Sequence, residues 1–368
     1  MRKMKHTATA LLAGTALLAQ GMAASACTSL ILKAKDGGVV YGRTMEFSLP
    51  LQSQAMVMPR NVALTGTGPT GQAGTGLSWT GKYAAVGLNG VGMKIFVDGM
   101  NEKGLAGGLL YLPGLAKFQD VTPAEAKNSI ASFEMLTYVL TSFATVAEVK
   151  AAMPKIKVSA APQETFKGPV PVHMTLHDAS GASLVVEYVG GELHMYDNPT
   201  GVLTNAPGFD WHLANLGQYV NLGAAEPDSM SVGPLTISPP STGAGLHGLP
   251  GDVLSPSRFV RAFFFSRFAP QPATVDEGLT TVRHIMSSFD IAPGSVVTQS
   301  DSTAGGGVSG NELTEWTVYA DLKNMRYTFT TYGNPALQAI DMAKVKLDGK
   351  EPRLFPLAAT PAPTPIGQ

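Results

Sequence analysis

The chain has 368 residues, 44% hydrophobic and only 14% charged, a balance that supports a packed core and excludes a disordered chain. Its 26 basic and 27 acidic side chains leave no surplus charge to steer a polyanion, which excludes a nucleic-acid partner. The 41 glycines and 26 prolines favour turns and strands over a helical bundle, and the single cysteine excludes an internal disulfide and a multi-cysteine zinc site.

Arg2, Lys3 and Lys5 precede an apolar run from Ala8 to Ala19, and Ala24-Ser25-Ala26 supplies an A-x-A cleavage signal. The run falls short of the roughly 20 residues that span a bilayer, so residues 1–26 read as a signal peptide. Export to the periplasm or beyond follows, without stable membrane insertion after cleavage. Cleavage after Ala26 makes Cys27 the first residue of the mature protein. Three readings of that cysteine are open: an inert buried thiol, a lipidated residue that anchors a binding protein, and an N-terminal nucleophile. In the last, the residue's own α-amine is the base for its thiol, because both groups sit on one residue.

Strand-like runs at 28–33 and 38–42 flank Lys35-Asp36-Gly37-Gly38, a hairpin signal. Residues 65–79 are rich in Gly and Thr and read as loop. Runs at 83–88 and 92–98 read as strands joined by an Asn89-Gly90 turn, followed by another at 105–111. Helices are expected over 130–142 and 145–153, the second opened by Thr145 with Glu148 three residues later. Runs at 171–177, 183–189 and 192–196 form a meander with glycine turns. Residues 224–256 are loop-rich. Helices follow over 257–268 and 274–288, the latter capped by Thr274 and Glu277. The pair 315–321 and 326–331 closes the pattern, and the Pro-, Ala- and Thr-rich tail 358–368 reads as disordered. Strands, helices, strands, helices, strands suit an α+β domain over 27–357, with two sheets and helices packed outside.

Several motifs fail. Gly76-Leu77-Ser78-Trp79-Thr80-Gly81-Lys82 starts like a phosphate loop, but Tyr83 replaces the required hydroxyl residue. His173 and His177 fall on a strand, where they would stand roughly 13 Å apart, and no third ligand follows at a metal-site spacing.

Cys27-Thr28-Ser29 followed by Tyr41-Gly42-Arg43-Thr44-Met45-Glu46 resembles the start of the choloylglycine hydrolase family, which contains penicillin V acylases and conjugated bile-salt hydrolases. Asn101-Glu102-Lys103-Gly104-Leu105 with Leu110-Tyr111-Leu112-Pro113-Gly114 agrees, as do Gly201-Val202-Leu203-Thr204-Asn205-Ala206-Pro207 and Gly248-Leu249-Pro250-Gly251-Asp252 with Ser255-Pro256-Ser257-Arg258-Phe259. The matches keep the family's order over nearly the whole mature chain. The resemblance implies an N-terminal nucleophile hydrolase with an αββα sandwich, cleaving a carboxamide other than a peptide bond, with no metal or organic cofactor. It implies Cys27 as nucleophile, Arg43 beside it, and Asn205 with the Tyr111 backbone N–H as oxyanion donors. Arg258 becomes a second active-site arginine. Glu46 stands where the family usually has Asp, and a carboxylate there would hold the ammonium form of the α-amine.

Bile-salt hydrolases and penicillin V acylases share this machinery, so the substrate is an N-acyl amide of unassigned acyl group. The export signal and Tyr111 resemble the Gram-negative branch, which acts on penicillin V and N-acyl homoserine lactones. Conjugated bile salts are the alternative. Loops 65–76 and 233–251 are expected to line the cleft, and related enzymes imply a homo-oligomer, commonly a tetramer. Met56, Met58, Leu64 and Leu77 are equally readable as pocket or core.

Overall fold

The computed structural model describes residues 27–298, 310–360 and 362; the leader expected at 1–26 and most of the tail from 358 lie outside the described residues. The first half comprises β1 (Cys27–Lys33), β2 (Val39–Phe47), β3 (Ala55–Met58), β4 (Ala85–Leu88), β5 (Asp98–Asn101), β6 (Ala106–Tyr111), α1 (Met135–Ser142) and α2 (Val146–Ala152). The second comprises β7 (Val172–His177), β8 (Ser183–Val189), β9 (Glu192–Asp197), α3 (Phe209–Asn215), α4 (Ser255–Phe268), α5 (Val275–Ser287), β10 (Leu313–Asp321), β11 (Arg326–Thr331), β12 (Asn334–Asp341) and β13 (Arg353–Phe355).

Two antiparallel sheets result. The smaller runs β1-β2-β10-β11-β12, and the larger runs β9-β8-β7-β6-β5-β4-β3-β13. Helix α4 packs on β1, α5 on β2 and β10, and α1 on β5 and β6, while β2 meets β6 across the sandwich. The layers are therefore helix, sheet, sheet, helix, as expected for the αββα arrangement. Strand β2 shows why both faces matter: all nine of its residues are buried. Its Gly42 lies under α5, where a Cβ would stand 2.5 Å from Val282 Cγ1. Tyr41 and Arg43 point the other way, between the sheets, as the two-residue period of a strand requires.

Local signals account for much of this. The β1–β2 hairpin turns through Gly37 at φ +80°, with Asp36 Oδ1 accepting from the Gly38 N–H at 2.8 Å. Thr145 and Thr274 cap α2 and α5 by accepting from the Glu148 and Glu277 N–H groups.

Some expectations need correction. Residues 92–98 are no strand: the chain leaves β4 at Leu88 and rejoins the sheet only at Asp98. Asn89 holds that loop by accepting from the Gln54 N–H at 2.6 Å and donating to the Met93 carbonyl at 2.9 Å. The helix expected from 130 starts at Met135, because Ser129–Ala131 pairs in parallel with Lys157–Ser159. β12 was not foreseen, and within the 224–256 loop Met230–Val232 and Leu235–Ile237 form a small exposed hairpin.

Close approach of the sheets depends on Gly108 of β6. A Cβ there would stand 2.6 Å from Asp98 Oδ2, 2.8 Å from Arg43 Nη1 and 2.9 Å from the Tyr41 hydroxyl. Gly108→Ala should therefore destabilise the fold by about 1–3 kcal/mol through overpacking. A thermal-unfolding midpoint equal to the wild type would contradict this packing account.

Candidate active site

Cys27 opens β1 at the end of the inter-sheet layer and is 1% exposed. In the β1–β2 register it sits opposite Met45, and Ser29 sits opposite Arg43, so these side chains share one face. Arg43 Nη2 lies 3.6 Å and Met45 Sδ 3.8 Å from Cys27 Sγ.

Arg43 is fully buried and its charge is matched. Nη1 reaches Asp98 Oδ2 at 3.2 Å and the Val97 carbonyl at 3.0 Å, and Nη2 donates to the Leu109 carbonyl. Trp316 stacks 5.2 Å from the guanidinium carbon. Tyr41 and Tyr327 each donate a hydroxyl to Asp98 at 2.7 Å. Burial raises Asp98 above the usual carboxylate range, against the pull of Arg43 and the two hydroxyls. Burial also opposes the Arg43 charge, but Cys27, Asp98 and Tyr41 outweigh it and push the guanidinium up.

Asn205 arrives from a distant segment. The Leu203 N–H and carbonyl exchange hydrogen bonds with Ser29 at 3.1 and 2.8 Å, which lays residues 203–205 along the free edge of β1. Asn205 Oδ1 accepts from the Cys27 nitrogen at 2.7 Å and from Arg258 Nη2 at 2.8 Å. Its Nδ2 donates to the Tyr111 carbonyl at 2.7 Å. Two donors on one side and an acceptor on the other fix which end of the amide is oxygen. One Nδ2 hydrogen remains for a ligand.

The antiparallel ladder also aims Tyr111. The Leu112 N–H donates to the Pro171 carbonyl at 2.7 Å on the β7 side, so both backbone groups of Tyr111 turn to the opposite edge. Because β5 begins only at Asp98, that edge is free of strand pairing beyond Leu109. The Leu109 carbonyl there takes Arg43 and the Tyr111 carbonyl takes Asn205. The Tyr111 N–H points to the same side.

Arg258, on the first turn of α4, donates through Nη1 to the Cys27 carbonyl and to Thr28 Oγ1 at 2.8 Å. Burial lowers its ordinary value, opposed first by Glu46. Glu46 itself accepts from Thr314 Oγ1 at 3.1 Å, at a register shift between β2 and β10, and its Oε2 has no hydrogen-bond partner among the described residues. Burial pushes its carboxyl up to about 8. The group expected to hold the Cys27 nitrogen thus lies on Thr314 and is largely neutral at pH 7, while Asn205 holds that nitrogen.

An apolar cavity of about 70 Å³ opens against Cys27, its wall including Met45, Phe47, Leu51, Val91, Met93 and Ile95, with Tyr111, Phe133, Phe166 and Val172 also lining it. Sequence reasoning missed nearly all of this wall. The loops at 65–76 and 233–251 contribute none of the lining residues. Met56 and Met58 are core residues of β3, and Leu64 and Leu77 pack against the core. Buried His173 and His177 bond to Glu187 and Thr204, and to Thr175 and Ser183. Among the described residues no group of His, Cys, Asp and Glu could hold a metal.

The raised Glu46 value carries a sign for stability. Below pH 4.5 the carboxyl is neutral folded and unfolded. Between there and about 8 the unfolded chain ionises while the fold retains its proton, so stability falls as pH climbs. Glu46→Gln lacks this penalty. Its melting temperature should gain on the wild type from pH 5 to 8 and level off above; a pH-independent difference would refute the assignment.

The family model for linear amide C–N hydrolases of the choloylglycine hydrolase family matches residues 27–355. A bile salt hydrolase/transferase from Clostridium perfringens is 32% identical over 333 residues, 89% of this chain and 96% of that protein. The penicillin V acylase of Pectobacterium atrosepticum is 25% identical, covering 83% of this chain and 77% of that one. Among solved structures, a conjugated bile acid hydrolase variant from Clostridium perfringens superposes with TM-score 0.80 at 31% identity over 93% of this chain and all of that one. Penicillin V acylase from Agrobacterium tumefaciens gives 0.72 at 25% identity, over 90% and 92%. Sequence, layered fold and site geometry agree that the chain belongs to the choloylglycine hydrolase family and is a linear amide C–N hydrolase.

Proposed function

We propose that this hydrolase is exported, is matured by cleavage before Cys27, and removes slender neutral acyl groups from amides such as penicillin V and N-acyl homoserine lactones. The observation behind the choice is the acyl cavity. At about 70 Å³ it is far too small for a sterol nucleus, and two methionines give it a soft wall that can yield to an alkyl chain or a single ring. A flexible chain can thread such a slot, gaining about 0.8 kcal/mol per buried methylene. A rigid sterol nucleus needs the walls to part. Conjugated bile-salt hydrolysis is the second reading, favoured by the 32% identity to a bile salt hydrolase/transferase.

The chemistry proposed uses residues already in place. In the full chain the Cys27 nitrogen is a peptide amide; cleavage after Ala26 makes it an amine. Asn205 Oδ1 would accept one of its hydrogens, leaving the lone pair for the thiol proton. Arg43, 3.6 Å from Sγ, would pair with the thiolate. Sulfur attacks the amide carbonyl, and the oxyanion meets the free Nδ2 hydrogen of Asn205 and the Tyr111 N–H. The ammonium gives its proton to the leaving amine, and water then splits the acyl-thioester, returning thiol and acid. No step draws on a metal or organic cofactor. The lipoprotein alternative fits poorly, since a sulfur 1% exposed beside a cavity of about 70 Å³ has no room to carry long lipid chains out to a membrane. Assembly into a homo-oligomer in the periplasm or outside the cell completes the proposal.

Cys27→Ala should abolish turnover with the fold intact, and Asn205→Ala should lower kcat by about 10²–10³-fold. Intact mass of the active protein should begin at Cys27. Substrate choice is decided by competition among penicillin V, decanoyl-homoserine lactone and glycocholate at equal concentration. Fastest cleavage of glycocholate would overturn the acylase reading in favour of bile salts.

A further inference from the structure

Both backbone polar groups of Asn205 are held by side chains that the proposed mechanism does not use. Its N–H donates to Ser255 Oγ at 2.9 Å, and its carbonyl faces His212 Nε2 at 2.9 Å. Ser255 is the first residue of α4 and also donates to Thr204 Oγ1 at 2.9 Å, so its hydroxyl orientation is set. His212 lies on α3, 1% exposed, with its ring stacked on Phe259 at 4.6 Å and an interplanar angle of 8°.

The hydrogen-bond partners assign the tautomer. A carbonyl can only accept, so Nε2 carries the hydrogen, and buried Nδ1, which has no hydrogen-bond partner among the described residues, is bare. Burial lowers the imidazole to about 4, so it stays neutral at working pH and imports no charge. One residue earlier the pattern repeats: His173 Nε2 lies 2.8 Å from the Thr204 carbonyl, with Nδ1 2.9 Å from Glu187. Residues 203–205 are thus clamped from the sheet edge, from α3 and from α4.

We infer that His212 and Ser255 are positioning residues for the Asn205 oxyanion donor. The inference rests on the oxyanion role proposed for Asn205. The side-chain amide already has three partners, so a small rotation of its backbone would move the one free hydrogen away from the developing charge. Oxyanion stabilisation depends on a donor fixed before reaction, and such rotation would lower kcat more than it weakens ground-state binding.

The test compares two reactions of one sulfur in the mature enzyme. Acylation by penicillin V forms an oxyanion; alkylation by iodoacetamide does not. His212→Phe keeps the ring and the stack on Phe259 but removes the donor. It should slow acylation about tenfold or more with KM within about twofold, while slowing alkylation far less. His212→Gln, which can restore an N–H, should recover much of the loss. Wild-type acylation in the phenylalanine variant, or an equal slowing of both reactions, would overturn the inference. Should that variant fail to fold, Ser255→Ala faces the same two readouts under the same criteria. Asn205→Ala serves as the control. Full acylation in Asn205→Ala would sink the oxyanion reading itself, whereas a slow Asn205→Ala beside a normal His212→Phe would sink only the positioning role.

Discussion

A guanidinium with no access to water dictates much of the architecture. Burying such an ion alone costs several kcal/mol even after relaxation, so Arg43 must find its counter-charge and acceptors within the sandwich. Asp98 supplies the charge, Val97 and Leu109 supply carbonyls, and Tyr41 and Tyr327 satisfy the carboxylate. These partners come from both sheets, so the ion ties the layers together at one height. Gly108 is the space that lets them converge. The cysteine sulfur lies beside this fixed charge through the β1–β2 register, without help from a mobile loop.

Asn205 is the second fixed point, and its constraint is directional rather than electrostatic. Its oxygen faces Cys27 and Arg258 while its nitrogen faces Tyr111. Three segments far apart in sequence are thereby brought to one amide. The two arginines flank Cys27, Arg43 paired with Asp98 and Arg258 opposite Glu46, whose carboxyl burial pushes up to about 8.

What could be read in the chain divides along the range of the forces involved. Hairpin β1–β2, the capped helices α2 and α5 and the 171–197 meander follow from turn chemistry and periodicity within a few residues. The loop at 89–97 misled because apolar side chains lining a cavity alternate much as they do on a strand. Its path is set by Asn89 bonding back to Gln54, a contact that no local pattern announces. Cys27 stood out by its place after the leader signal. Asn205 and Arg258 carried no local signal and were visible only through resemblance, since their roles arise from contacts across more than 50 residues. The Glu46–Thr314 contact falls at a register shift between β2 and β10, a pairing between distant segments that local patterning does not encode.

Strand β1 lies at the margin of its sheet, where unpaired backbone groups can recruit another chain. The bridge between Ser29 and Leu203 closes part of that margin. The segment that delivers the amide to the sulfur therefore also guards against edge-to-edge pairing. Damage that frees residues 203–205 would release Asn205 from Cys27 and uncover that margin in the same event. Variants that break the Ser29–Leu203 bridge should accordingly scatter light as soluble aggregates, while substitutions of Cys27 should remain dispersed.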